Sequence, residues 1–178
     1  MATFGYTTVG TNLIDWYGWA NTCWLSRETL TEAGDVSKLT CSIRNTNSGH
    51  AATNVKAVIY SDKSGPLPNA LLGTGTAVAI ADNLSLQWVD LPFASAVSLA
   101  AGTYWIGLLC DTPSAGVMTP LDSVAGTVYF ESDTYSDGAM ATRGAGTTYG
   151  TDRASIYATY APPVTGTGHT SLIQFGIC

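Results

Sequence analysis

The chain has 178 residues, of which 46% are hydrophobic and only 11% charged, with a formal net charge of −6 and a sequence pI of about 4.5. This hydrophobic content is enough for a buried core, which excludes a disordered chain, and the length suits a single domain over residues 1–178. The seven Lys and Arg residues are scattered, which argues against nucleic acid and membrane partners because phosphate and anionic lipid surfaces both need a basic patch.

Apolar residues along the chain recur with a period of two. In residues 36–44, Leu39, Cys41 and Ile43 share one face while polar residues occupy the other, as in a half-buried strand. The run TYWIGLLC at residues 103–110 is apolar throughout, so we expect a central strand that is covered on both faces. Further strands are predicted at residues 55–60, 74–80, 84–93, 127–131, 154–160 and 170–177.

Two segments between these strands are interpreted as loops. Residues 61–68 contain Gly and Pro as strong breakers, and residues 132–153 are rich in Gly, Thr, Ser and Asp, with one short strand expected near residues 139–142. No segment has a sustained helical period. Short strands with Gly and Pro between them predict an all-β fold, namely a jelly-roll-type antiparallel β-sandwich.

The four cysteines are Cys23, Cys41, Cys110 and Cys178, and no two of them share a CxxC spacing. With only two histidines in the chain, a zinc site is not expected. Two interpretations stay open. The cysteines are either buried thiols that pack as small hydrophobes, or they form one or two disulfides after release from the cell, in a pairing that the sequence does not specify.

Part of the chain resembles a known group of β-sandwich modules. The segments VIYSD at 58–62, GPLP at 65–68 and LL at 71–72 are followed by Trp88 and then by LAAGTYW at 99–105. This order is similar to that of jelly-roll modules in phage structural proteins and bacterial surface proteins, which look like carbohydrate-binding modules. The resemblance covers roughly residues 20–112, and it implies a non-catalytic role in adhesion, glycan binding or decoration of a virus particle.

An aromatic cluster near the N-terminus provides the first candidate binding residues, Trp16, Tyr17, Trp19 and Trp24. Aromatic rings stack on sugars and anchor protein contacts. We rank packing into the domain's own core first for these residues, an assembly contact second and a sugar platform third.

The other aromatic candidates lie further along the chain. Trp88 and Trp105 fall inside predicted strands and are assigned to the core, whereas Tyr135 and Tyr149 fall in the loop-rich segment and are better candidates for surface contact.

No pattern of catalytic residues accompanies these strands. The acidic residues fall mostly in turns, where Asp usually bonds its own backbone, and the two histidines lie in loop segments, so we expect no catalytic residues and no enzyme activity. No cofactor is expected. Calcium is the one metal that we consider, at a site around Asp133 and Asp137. The simpler interpretation is that these acidic residues cap turns.

These features together predict a virion structural protein, of the phage capsid decoration or spike type, that acts by passive assembly. The expected partners are further copies of the chain, for instance in a trimer, and other virion proteins such as a major capsid protein, with glycans as a further possibility. The N-terminus lacks a secretory signal, so we expect synthesis in a host cytoplasm and a final location on the virion surface. The alternative is an extracellular, non-catalytic carbohydrate-binding or adhesion module.

Overall fold

The computed structural model describes residues 1–15, 21–46, 53–63, 65–111 and 117–163, and within them the protein is an all-β antiparallel sandwich of the jelly-roll type, as predicted. A 3₁₀ turn at Tyr135–Asp137 is the only helical element of this part of the chain, which therefore contains no helix able to span a membrane. The strands are β1 (Ala2–Gly5), β2 (Asn12–Asp15), β3 (Thr22–Leu30), β4 (Gly34–Asn45), β5 (Thr53–Lys63), β6 (Leu67–Thr74), β7 (Val78–Ile80), β8 (Gln87–Leu99), β9 (Gly102–Cys110), β10 (Val117–Asp122), β11 (Val128–Ser132), β12 (Thr147–Tyr149), β13 (Arg153–Ala154) and β14 (Ile156–Ala161).

These strands form two seven-stranded sheets. The first sheet has the order β1-β14-β4-β10-β13, with β2 also paired to β10 and β8 to β4, while the second has the order β12-β11-β3-β9-β5-β6, with β7 also paired to β5. The chain changes sheet at eight connections between consecutive strands, namely β2–β3, β3–β4, β4–β5, β7–β8, β8–β9, β9–β10, β10–β11 and β12–β13. Strands that are distant in sequence therefore become neighbours, as the jelly roll requires.

The main core lies between the two sheets, as the period of two predicts. On β4, Leu39, Cys41 and Ile43 are fully buried in this core. Ile106 and Leu108 of β9, in the second sheet, belong to the same core. The expectation that β9 is a central strand is confirmed, because β9 lies between β3 and β5 and its last six residues are all buried.

Several element boundaries differ from the sequence prediction. The predicted loop at residues 61–68 is shorter, since β5 continues to Lys63 and β6 begins at Leu67. The single strand expected at residues 74–80 is instead the end of β6 followed by β7, and β10 was not predicted. The strand predicted at residues 170–177 lies outside the described residues.

A second hydrophobic cluster lies on the outer face of the second sheet. Trp105 and Leu109 alternate along β9 with the residues of the main core, so they point away from it. The cluster consists of Cys23, Leu25, Val58, Tyr60, Trp105, Leu109 and Tyr129, and all seven are fully buried. A sheet face buried to this extent needs a cover, and residues 132–146 (hereafter the cover segment) provide part of it through Tyr135 and Ala139.

The cover segment is attached to the sheet by backbone hydrogen bonds. The Leu71 amide donates to the Ala141 carbonyl at 2.9 Å, and the Arg143 amide donates to the Asn69 carbonyl at 3.0 Å. Near these bonds Thr142 forms an isolated bridge with Ala70, at the end of the short strand that was expected at residues 139–142. The loop-rich segment is therefore a structural layer over the second sheet.

Candidate functional site

The outer face of the first sheet differs from that of the second, because several of its larger side chains remain partly exposed, whereas the small side chains of Thr40 and Ser42 are buried. On β4 the residues that alternate with the core, Lys38, Thr40, Ser42 and Arg44, point to this face. We call the surface formed by these residues with Trp88, Asp90 and Tyr157 the open face. From Lys38 to Arg44 it extends along β4 for about 20 Å, at about 3.3 Å per residue.

Two aromatic rings lie at the centre of the open face. Trp88 of β8 is opposite Ser42 of β4, and Tyr157 of β14 is opposite Thr40. The ring centroids are 5.3 Å apart, with an angle of 63° between the ring planes. Ser42 and Thr40 have small side chains, so rings from the strands on either side of β4 can meet above them. Both aromatic residues are half-buried, which leaves part of each ring in contact with solvent.

An ion pair borders the aromatic pair on one side. Lys38 Nζ donates to Asp90 Oδ2 at 2.5 Å, and Thr40 Oγ1 donates to Asp90 Oδ1 at 2.7 Å. The Lys38 and Asp90 side chains are 34% and 56% exposed, so both can also bind a ligand from solvent. The hydrogen bond from Lys38 is the main cause that lowers the pKa of Asp90, and a carboxylate held in its ionised form accepts hydrogen bonds but does not donate a proton near neutral pH.

Arg44 borders the aromatic pair on the other side. Its Nε and Nη2 atoms lie 3.1 and 2.9 Å from the sulfur of Met118, which is opposite Arg44 in the sheet. Arg44 is partly exposed, and a sulfur is a weak acceptor, so its guanidinium can also donate to a ligand. The open face therefore combines exposed ring surface with hydrogen-bonding groups on both sides, which is an arrangement suited to binding rather than to proton transfer.

The expectation that Trp88 lies in the core is wrong. Trp88 is half-buried on the open face, whereas its neighbour Val89 packs against the main core. Trp105, which received the same assignment, is fully buried, and its indole N–H donates to Asp62 Oδ1 at 2.7 Å. The signal that could have separated them is the polar context of Trp88, which has Gln87 before it and Asp90 two residues after it.

Three of the six predicted binding aromatics, Trp24, Tyr135 and Tyr149, lie among the described residues, and they have different environments. Trp24 is fully buried between the sheets, with its ring centroid 6.2 Å from that of Phe130, so a partner or glycan cannot reach it. Tyr135 packs against the outer cluster of the second sheet and lies under the Lys56 ammonium group, 4.1 Å from the ring centroid. Tyr149 is 47% exposed on β12. The other three predicted residues, Trp16, Tyr17 and Trp19, lie outside the described residues.

Asp133 and Asp137, the residues considered for calcium, both belong to the cover segment. Asp133 is buried and its carboxylate forms an ion pair with Arg143 Nη2, while its Oδ2 atom also accepts from the Met140 amide at 3.1 Å. A cavity of about 550 Å³ beside it is lined by Asp133, Asp137 and neighbouring residues of the cover segment. Asp133 is therefore a counter-ion of Arg143.

Cys23, Cys41 and Cys110 are buried free thiols and do not form disulfides with one another. Cys23 belongs to the outer cluster of the second sheet, whereas Cys41 and Cys110 belong to the main core. Burial raises the pKa of the Cys23 and Cys41 thiols to about 12 and also raises the pKa of Cys110. Cys178 lies outside the described residues.

The burial of these thiols predicts low reactivity in the folded protein. We expect Cys23, Cys41 and Cys110 to stay unlabelled by iodoacetamide at pH 8, because the reactive thiolate is both scarce and inaccessible. Peptide mapping by mass spectrometry identifies the labelled positions, and labelling in guanidinium chloride serves as the control in which all four cysteines react. Labelling of any of the three at the rate of a free thiol would contradict the burial described here.

Comparison with protein-family models, with curated proteins and with solved structures finds no match to this chain.

Proposed function

We propose that this chain is a non-catalytic structural component of a virion surface, of the capsid decoration or spike type. The observation that carries the proposal is the difference between the two sheet faces. The protein covers the second sheet with its own cover segment, whereas the open face of the first sheet keeps Trp88 and Tyr157 partly exposed. A rigid sandwich with one covered and one open face is suited to being fixed on a particle and presenting its open face outward.

The charged groups support the same proposal. All seven Lys and Arg residues are among the described residues, and six of them contact a carboxylate, a sulfur or an aromatic ring. Few cations are therefore left to attract unrelated polyanions, and because only 11% of the residues are charged, uncharged polar groups form much of the surface. Such a surface suits a protein that assembles through shape and hydrogen bonds with copies of itself, for instance in a trimer, and with a major capsid protein.

Five carboxylates that would otherwise be candidates for acid–base chemistry are engaged by these cations. They are Glu28, Asp62, Asp90, Glu131 and Asp133. Side chains that are occupied in ion pairs of the fold are less available to a reacting substrate, which supports a role in binding over a role in hydrolysis.

The test of the proposal is whether the protein is part of a particle. We expect the chain to copurify with particles from lysates of the producing cells, to migrate on size exclusion as a homo-oligomer, and to appear as regular surface density by electron microscopy. A monomer found only in the soluble fraction of the lysate, with none on particles, would refute the proposal.

A free carbohydrate-binding or adhesion module outside the cell is the second candidate function. The Trp88–Tyr157 pair beside the Lys38–Asp90 ion pair favours it, because sugar sites combine aromatic rings with a few polar groups of defined position. The two candidate functions differ in where the protein is found. The virion component is part of a particle, whereas the free module binds glycans and is absent from particles.

A further inference from the structure

We infer that the open face is a saccharide-binding site, with Trp88 and Tyr157 contacting the sugar rings and Lys38, Asp90 and Arg44 binding their hydroxyl groups. This inference adds a ligand class to the proposed function, and it rests on that proposal only for the outward orientation of the open face on a particle. It assigns the site to β4, β8 and β14 of the first sheet, away from the N-terminal aromatic cluster.

The two rings of the aromatic pair present their surfaces at an angle to each other. The ring planes meet at 63° with centroids 5.3 Å apart, so a flat sugar ring on one of them has the other at its edge. Stacking removes exposed ring surface from water and does not require the rings to move, because each is already held over β4 by its strand.

The polar groups around the rings match the needs of a sugar. A pyranose ring exposes C–H groups on its faces and hydroxyls around its edge, so its binding site needs apolar surface in the middle and donors and acceptors at the border. Asp90 Oδ1 and Oδ2 already accept from Thr40 and Lys38, and both carboxylate oxygens keep further acceptor capacity on a side chain that is 56% exposed. Lys38 and Arg44 supply the donors.

The size and charge of the open face favour a saccharide over a protein partner. Its apolar centre consists of two half-buried rings with charged groups at both ends, within about 20 Å along β4. A stable protein interface buries about 800 Å² per partner around an apolar core, which is more than this centre offers. The Lys38 and Asp90 charges offset each other and Arg44 adds one positive charge, so the face suits a neutral sugar or a sugar that carries a carboxylate.

The first experiment is a glycan array probed with the native, full-length protein. The array carries neutral hexose and N-acetylhexosamine oligosaccharides in one set, and uronic or sialic acid oligosaccharides in the other, so that the two sets distinguish a neutral from an acidic ligand. Binding in either set supports the inference, and binding in neither set overturns it. The oligosaccharide with the strongest signal is then used for titration calorimetry.

The variants W88A and Y157A are expected to bind this oligosaccharide about tenfold more weakly or worse, because each removes one ring from the contact. K38M and D90N, each of which breaks the ion pair at the border, are expected to weaken binding as well. L72A is the control, since Leu72 is an exposed apolar residue on β6 of the second sheet and its removal should leave the affinity unchanged. Unaltered affinity in both W88A and Y157A would overturn the inference.

Two further measurements separate loss of glycan binding from misfolding of a variant, and the glycan site from the virion role. Thermal unfolding of each variant shows whether it is folded, and W88F replaces W88A if the latter is not. Incorporation of W88A into particles is measured separately. Loss of glycan binding with normal incorporation supports both the site and the proposed function, whereas glycan binding by a protein that is absent from particles supports the site and refutes the virion role.

Discussion

Replacing Arg143 by methionine is expected to lower the free energy of unfolding by about 3–5 kcal/mol. The Arg143 side chain is fully buried and forms ion pairs with Asp133 and, at 3.3 Å, with Glu131. Its guanidinium also lies over the ring of Tyr60, 4.9 Å from the centroid. Methionine fills much of the same volume, but it leaves the buried carboxylate of Asp133 without its cation, and an uncompensated buried charge is costly.

Chemical denaturation followed by tryptophan fluorescence measures this effect. The matched control is K38M, which also removes one cation from an ion pair, but at a site where both partners are substantially exposed. An exposed pair contributes about 0–1 kcal/mol, so K38M should unfold close to the native midpoint. Equal losses for R143M and K38M would mean that the buried ion pairs of Arg143 contribute no more to stability than an exposed pair.

The same substitution should expose the outer face of the second sheet. Release of the cover segment uncovers apolar side chains such as Trp105 and Tyr129, whose rings are 5.9 Å apart. In addition, Cys23 of the same cluster should become reactive toward iodoacetamide in R143M, while Cys41 and Cys110 in the main core stay protected. This pattern would separate local release of the cover segment from global unfolding.

Replacing Gly107 by alanine is expected to destabilise the protein by about 3 kcal/mol or more, at or beyond the upper end of the usual range for overpacking. Gly107 lies in the middle of β9, opposite Leu25 of β3 and Val58 of β5. A Cβ atom at this position would lie only 2.7 Å from the Leu25 Cα and would overlap the Trp24 carbonyl oxygen. Both contacts are with backbone of the adjacent strand, so a side-chain rotation cannot relieve them.

Thermal and urea unfolding of G107A are compared with those of G150A. Gly150 follows β12 and has no atom within 4 Å of a built Cβ, so alanine there should change stability by less than about 0.5 kcal/mol. If G107A unfolds at the native midpoint, β3 and β9 are further apart at this point than described here.

Strand β4 shows which aspects of the fold depend on local sequence. On β4, every second residue from Leu39 to Ile43 is apolar, and burying these residues forces the polar residues between them to the other face. The inner and outer faces of this strand could therefore be predicted from the sequence. The same holds for β9, because a run that is apolar on both faces is stable only at the centre of a covered sheet.

Trp88 shows why the candidate site could not be predicted in the same way. Trp88 and Val89 are adjacent apolar residues, so the local pattern is compatible with either one facing the core. The register with β4 decides between them, since it pairs Val89 with Cys41 of the core and Trp88 with Ser42 of the open face. The contact between Trp88 and Tyr157 also joins residues 69 positions apart on strands that do not pair directly, which no local pattern encodes.

The sequence by itself determined the all-β class, the sandwich, and the inward and outward faces of its most regular strands, because these depend on the alternation of neighbouring residues. The tertiary structure decided which aromatic residues face solvent and what the segment after β11 does. The cover segment has the composition of a loop, and its place over the second sheet depends on its backbone hydrogen bonds to β6 and on the ion pair of Arg143 with Glu131 of β11. Such contacts require the sheets to be formed first, so the open face and the covered face are properties of the fold as a whole.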